Sequence, residues 1–221
     1  MALILEKKLD KVHIEKNKIY CKDCSYMDEL PDNSIDLIIS GPPYWTFIDY
    51  AAFNRDEDYL WKQDLPYNKY LDHLTLWHRE CFRVLRPGRY CIVNLMTMAR
   101  DGKTYPIPFH AVGLLEGIGF DFRYEIIWHK VSGGRSRAKT FIQSPYPGNF
   151  TPNIRTEYLL VFRKGTSKPF RKNLGRLGDE SYRLVVDDFF FRETANNVWH
   201  VPPPNKGAIP EHPCPFPFEI H

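Results

Sequence analysis

The tightest constraint on this chain lies at residues 35–45. Ile35-Asp36-Leu37-Ile38-Ile39-Ser40 is a near-continuous apolar run of one strand's length, and Gly41-Pro42-Pro43-Tyr44-Trp45 follows without a break. A run this apolar predicts a strand of the buried parallel kind, covered on both faces. Two consecutive prolines lack the N–H groups a ladder requires, so the strand must stop there and the chain is held rigid. In open α/β sheets ligands bind beyond the carboxyl ends of strands, which is where this turn falls. Rigid carbonyl acceptors beside an aromatic ring suit an exocyclic amino group on a flat base. The competing reading is a strand-ending turn with Tyr44 and Trp45 in the core.

The surrounding order of elements points the same way. Lys18-Ile19-Tyr20-Cys21 reads as a short strand, and 30–34 supplies turn residues before the strand at 35–40. From Tyr67 to Leu85 the residues Leu71, Leu74, Trp77, Cys81, Phe82 and Leu85 recur at three- and four-residue steps, which predicts an amphipathic helix stopped by Arg86-Pro87-Gly88. A buried strand is expected at 90–95, a helix from Phe109 to Ile118, and strands at 121–129 and 156–163 flanking a Gly/Pro/Ser-rich loop. One more strand is expected at 183–191, and seven of the 18 prolines fall between Pro202 and Pro217, a tail unfit for helix or central strand. Strand alternating with helix is the α/β pattern.

Composition removes the other classes. Hydrophobic residues at 43% and charged ones at 26% exclude a wholly disordered chain. There is no repeat or heptad, and no apolar run approaches the roughly 20 residues of a membrane span. The amino terminus has apolar residues only at positions 2–5, too few for a signal-peptide core, so no membrane association and a cytoplasmic location are expected. Five cysteines then read as reduced thiols. Cys21-Lys22-Asp23-Cys24 has no second pair, and His73, His78, His110, His129 and His200 lack ligand spacing, so no metal is expected. The net charge of +3 is too small to announce a polyanion partner, and local clusters must decide.

With these residues in place, the chain resembles the beta class of DNA amino-methyltransferases, the permuted N4-cytosine and N6-adenine enzymes of restriction and modification systems. Lys18 to Asp23 is similar to the family's third motif, Asp36 to Tyr44 to its catalytic fourth motif, and Arg83-Val84-Leu85-Arg86-Pro87-Gly88 to the segment that follows. Residues 125–130 and 157–164 resemble the later paired strands, and Asn197-Val198-Trp199 with His212-Pro213-Cys214-Pro215-Phe216-Pro217 the tenth motif. The resemblance implies a Rossmann-like S-adenosylmethionine-dependent fold with a hairpin and a small target-recognition insertion. It divides the chain into a catalytic domain over 1–163, a target-recognition segment over 164–194 and a proline-rich return to the cofactor side over 195–221.

What the resemblance implies for the site is direct methyl transfer to an exocyclic nitrogen, with N4 of cytosine preferred to N6 of adenine. Ser40, Gly41, Pro42, Pro43 and Tyr44 would carry catalysis: the Pro42 carbonyl and the Ser40 hydroxyl accept the amine hydrogens while Tyr44 stacks on a base flipped out of double-stranded DNA. Asp23 and Cys24 would face the cofactor adenosine, and His212, Pro213 and Cys214 its amino-acid end. Trp45 and two acid-free basic clusters would meet DNA: Lys130, Arg135, Arg137 and Lys139, then Lys168, Arg171, Lys172 and Arg176 in a run that begins at Lys164. Two departures stand out. The position before Pro-Pro-Tyr, where the family carries Asp, Asn or Ser, is Gly41, and the glycine-rich first motif does not follow the tenth. An incomplete sheet with exposed apolar edges is therefore expected, completed by a C-terminal half or second subunit. The alternative is a non-catalytic fragment that binds DNA or such a partner.

Overall fold

The computed structural model describes residues 17–45, 65–131, 146, 148, 152–165, 187–188, 190–204 and 217. In chain order its elements are β1 (Ile35–Ser40), α1 (Tyr67–Val84), β2 (Leu85–Leu95), β3 (Met98–Arg100), β4 (Lys103–Tyr105), α2 (Ile107–Ile118), β5 (Phe120–His129), β6 (Thr156–Lys164) and β7 (Val198–His200). Five strands make one sheet in the order β1-β2-β6-β5-β7, and β3 pairs with β4 as a ribbon. β1 is parallel to β2, β7 is parallel to β5, and β6 runs antiparallel to both of its neighbours. The carboxyl ends of β1, β2, β5 and β7 therefore share one rim with the amino end of β6.

Helix α1 forms as its periodicity predicts, but the stripe it buries is Tyr70, Leu74, His78, Cys81 and Val84, while Leu71, Trp77 and Phe82 are half-buried beside it. Helix α2 begins two residues earlier than expected, because a proline at position 108 is tolerated in a first turn. It ends at Gly119, whose φ of 120° few side chains could adopt. A Cβ there would meet Phe82 Cζ at 3.1 Å, so this glycine also lets α2 close on α1. Both helices lie on one sheet face, burying Cys91, Val93, Leu95, Leu160 and Phe162 in the main core. Truncating a fully buried residue such as Leu74 to alanine would cost about 2–5 kcal/mol.

The Arg86-Pro87-Gly88 stretch does not form a separate loop. Helix α1 passes directly into β2, and the pairing jumps from Ile35↔Leu85 to Leu37↔Tyr90, leaving residues 86–89 bulged. Gly88 makes the bulge with φ 82°, and Arg86 and Arg89 both turn onto Asp36, at 2.6 and 3.0 Å. Lys164, expected in a basic DNA-facing run, instead donates to the carbonyls of Phe82 (2.5 Å) and Arg83 (3.2 Å), covering acceptors left open at the end of α1. Burial holds its pKa below the usual 10.5.

Two expected strands are corrected. Residues 18–21 form no strand: they lie among turns, and Ile19 is 94% exposed. A strand persists by pairing, and among the described residues nothing pairs with the outer edge of β1. Within 183–191 the described residues include the start of a π-helical turn, Phe190–Thr194, while 183–186 and 189 lie outside the description. The sheet is also less covered than a doubly wound one. On the face away from the helices a smaller cluster joins Trp128, Leu159, Ile92, Ile126, Trp199 and Val201, while Leu37, Ile39, Tyr90 and Tyr124 are 52, 41, 39 and 52% exposed. Among the described residues, no helix is long and apolar enough to cross a membrane.

Candidate functional site

The turn 41–45 leaves the end of β1 on the shared rim. Gly41 is exposed, Pro43 is half-buried, and Pro42, Tyr44 and Trp45 are buried, with Tyr44 and Trp45 at 6% and 3% exposure. Trp45 packs against Tyr105 and Tyr67 with ring centroids 4.5 and 4.9 Å apart, and its Nε1 donates to the Leu65 carbonyl at 2.7 Å. Its expected place against DNA is thus replaced by one in the core, because β3–β4 and α1 supply an aromatic cage. Burial, with Tyr105 adding to it, pushes the Tyr67 hydroxyl in that cage up to about 12.

Behind the turn lies a polar cluster at the rim. Glu157, at the amino end of β6, is 1% exposed. Its Oε2 accepts from the Tyr44 hydroxyl at 2.7 Å and from Asn94 Nδ2 at 2.6 Å, while Lys130 Nζ closes on Oε1. Three donors from three other segments thus converge on one carboxylate, which as an acceptor-only group suits all of them. Lys130 also lies 4.8 Å from the centre of the Trp128 ring, and its side chain is 16% exposed. Expected at the DNA backbone, it is an internal counter-charge, since a carboxylate this buried requires a partner.

The structure thus joins Tyr44 to Lys130 through Glu157, which the sequence placed at the head of a strand-like segment but assigned no role in the site. The available signal was an amide and a charged residue, Asn94 and Glu157, within or beside the apolar stretches 90–95 and 158–162. Ser40 ends β1 opposite Val93, at the base of the turn. Asp23 and Cys24 lie on an exposed turn, where Asp23 Oδ1 accepts the Ser25 N–H at 2.9 Å. A carboxylate has about four acceptor sites, so this bond is compatible with Asp23 also accepting from a ribose hydroxyl. Arg135, Arg137, Lys139, Lys168, Arg171, Lys172, Arg176, His212, Pro213 and Cys214 lie outside the described residues.

The sequence model of a family described as DNA methylase matches residues 35–221. Type II methyltransferase M.MjaVI of Methanocaldococcus jannaschii is 28% identical over 183 residues, covering 82% of this chain and 84% of its own. Type II methyltransferase M.HpaI of Haemophilus parainfluenzae is 32% identical over 202 residues, covering 88% of this chain and 54% of its own. The chain therefore spans most of the first relative and about half of the second. Among solved structures, PvuII DNA methyltransferase (cytosine-N4-specific) matches with a TM-score of 0.59 at 15% identity, over 91% of this chain and 66% of that one. The Thermus thermophilus protein TTHA0409, complexed with S-adenosyl-L-methionine, matches with a TM-score of 0.57 at 24% identity, over 90% and 70%. At these identities the matches show the fold alone: mixed α/β, of the S-adenosylmethionine-dependent methyltransferase type, with a five-stranded sheet among the described residues.

Proposed function

The chain belongs to the DNA methylase family, and from that premise we propose that it transfers a methyl group from S-adenosylmethionine to the exocyclic amine of a base in double-stranded DNA, as a type II modification enzyme. One observation carries the reading: the Gly41-Pro42-Pro43-Tyr44 turn leaves β1 on the rim where β2, β5 and β7 also end. When bound, the cofactor supplies an electrophilic methyl on a sulfonium that departs as a neutral thioether. The chain's part is orientation. An amine lone pair is delocalised into the base, and acceptors on its hydrogens, the Pro42 carbonyl and the Ser40 hydroxyl, draw the nitrogen toward a tetrahedral nucleophile. After transfer the nitrogen releases one proton to water at the exposed Gly41 side. Tyr44, buried in this state, backs the turn, and stacking on a flipped base would require one ring face to be uncovered.

Gly41 supplies no side-chain acceptor, and the family's adenine enzymes mostly carry Asp there, so N4 of cytosine is preferred to N6 of adenine. Asp23 and Cys24 are assigned to the adenosine side, His212, Pro213 and Cys214 to the amino-acid end, and 164–194 to target recognition. Of the cations expected at DNA, Arg135, Arg137, Lys139, Lys168, Arg171, Lys172 and Arg176 keep that role. A second reading is favoured by the partly exposed sheet face and by a β1 edge with no pairing strand among the described residues: a non-catalytic or split fragment that binds DNA or a complementary segment or subunit. Labelled-methyl transfer to duplex DNA, with calorimetric titration of S-adenosylmethionine, tests both. Micromolar binding, about −8 kcal/mol, with methylated cytosine supports the enzyme, and absence of both refutes it. Charge reversal at Arg135 with Arg137, or at Arg171 with Lys172, should flatten the salt dependence of DNA binding by close to one unit for each phosphate no longer neutralised. An unchanged slope in both removes those residues from the interface.

A further inference from the structure

We propose that Glu157 is the positioning residue of this site: through Tyr44 it sets the orientation of the Pro42 carbonyl, an inference that rests on the methyl-transfer reading above. Tyr44 is separated from Glu157 by 113 residues and Asn94 by 63, and both donate to the same oxygen, at 2.7 and 2.6 Å. Lys130 holds the other oxygen. Four segments, the turn after β1 and the rim ends of β2, β5 and β6, thereby meet at one buried carboxylate.

The backbone transmits this to the site. Ser40 is anchored in the β1–β2 ladder opposite Val93, and Tyr44 is anchored by its hydroxyl. Between them, the rings of Pro42 and Pro43 lock two φ angles near −65°, so few soft dihedrals remain. Pinning both ends leaves the Pro42 carbonyl little freedom. The amide of Asn94 is fixed as well, because only its nitrogen can face a carboxylate, and its Oδ1 stays buried with no hydrogen-bond partner among the described residues. An arrangement that leaves a buried acceptor unmatched in order to aim one more donor at Glu157 points to the carboxylate as the centre of the cluster. Retaining only the shape of Glu157 would not suffice: a glutamine places an NH2 group against Lys130 or Asn94, both donors.

The test is a double-mutant cycle on the full chain with Glu157→Gln and Tyr44→Phe, read in methyl transfer and in thermal unfolding. Each single variant should lower kcat about 10- to 100-fold with KM for DNA within about twofold, because a misplaced acceptor is felt in the transition state. The double variant should be no slower than the worse single by more than about twofold, since both changes break one link. Glu157→Gln turning over at the wild-type rate per folded molecule, or single effects that multiply in the double variant, overturns the proposal. If wild type transfers no methyl group, the functional reading fails first. Unfolding then decides the link alone: shifts in melting temperature smaller in the double variant than the sum of the singles retain it, and additive shifts overturn it.

Discussion

Replacing His78 by leucine should remove a pH dependence of stability that one buried ring creates. His78 is fully buried on the inner stripe of α1, a position the helical spacing reserves for an apolar side chain. Its Nδ1 lies 2.7 Å from the Leu74 carbonyl, which only accepts, so Nδ1 carries the proton and donates. Nε2 is buried with no hydrogen-bond partner among the described residues. Protonating it would create a charge and an unmet donor in the core, so burial lowers the pKa from 6.5 and the bond to Leu74 only partly offsets this. With the folded value below the unfolded one, the unfolded chain takes up the proton first. The stability is fully present above pH 6.5 and is lost as pH falls from 6.5 toward the folded value. The slope approaches about 1.4 kcal/mol per pH unit, or about 3–6 °C in melting temperature for a chain this long. Calorimetry from pH 7.5 to 5.5 on wild type and His78→Leu isolates it, because the other histidines are common to both chains. At pH 7.5 the variant should lie within about 1 kcal/mol of wild type, since the lost bond is offset by removal of an unmet acceptor worth about 1–3 kcal/mol. Parallel curves would show that His78 is hydrated or paired in both states, and the argument from its burial would fail.

Other perturbations have separate causes. Lys130→Met should cost about 3–5 kcal/mol by leaving the Glu157 carboxylate without a counter-charge, and Lys130→Met with Glu157→Gln, which is neutral yet keeps an acceptor for Tyr44 and Asn94, should recover much of it. Urea midpoints that fall further in the double variant would refute the pairing. Gly119→Ala should destabilise by about 1–3 kcal/mol, from the φ of 120° and the approach of Phe82, with equilibrium unfolding as the measure. A neutral result would mean that the end of α2 relaxes freely. Leu37→Lys with Ile39→Lys should reduce binding of a hydrophobic dye while changing the melting temperature by no more than about 2 °C, since both residues are already about half exposed. A drop several times larger would mean that this face is covered when the chain is alone.

Much of this protein is legible in local sequence. The helical step from Tyr67 onward, the stop at Gly119 and the apolar runs at 35–40, 90–95 and 156–163 are each set by residues a few positions apart, so their elements appear there, although β2 starts earlier, at Leu85, through the bulge at 86–89. The Gly-Pro-Pro-Tyr turn is legible for the same reason: prolines end a strand whatever surrounds them. Long-range partners are not visible at that scale. The segment 18–21 has the composition of a strand, but strands exist by pairing, and nothing among the described residues pairs beyond β1. Lys130 and Lys164 each read as one more cation in a basic run, until the fold brings one to a buried carboxylate and the other to the end of a helix. The separation of 113 positions from Tyr44 to Glu157 makes the same point, since no periodicity spans that distance. Sequence determined where the two helices and the central strands form and where β1 must stop; the tertiary structure decided which strands pair and which side chains meet behind the turn, because pairing, burial and charge neutralisation are properties of contacts between segments that only the folded sheet brings together.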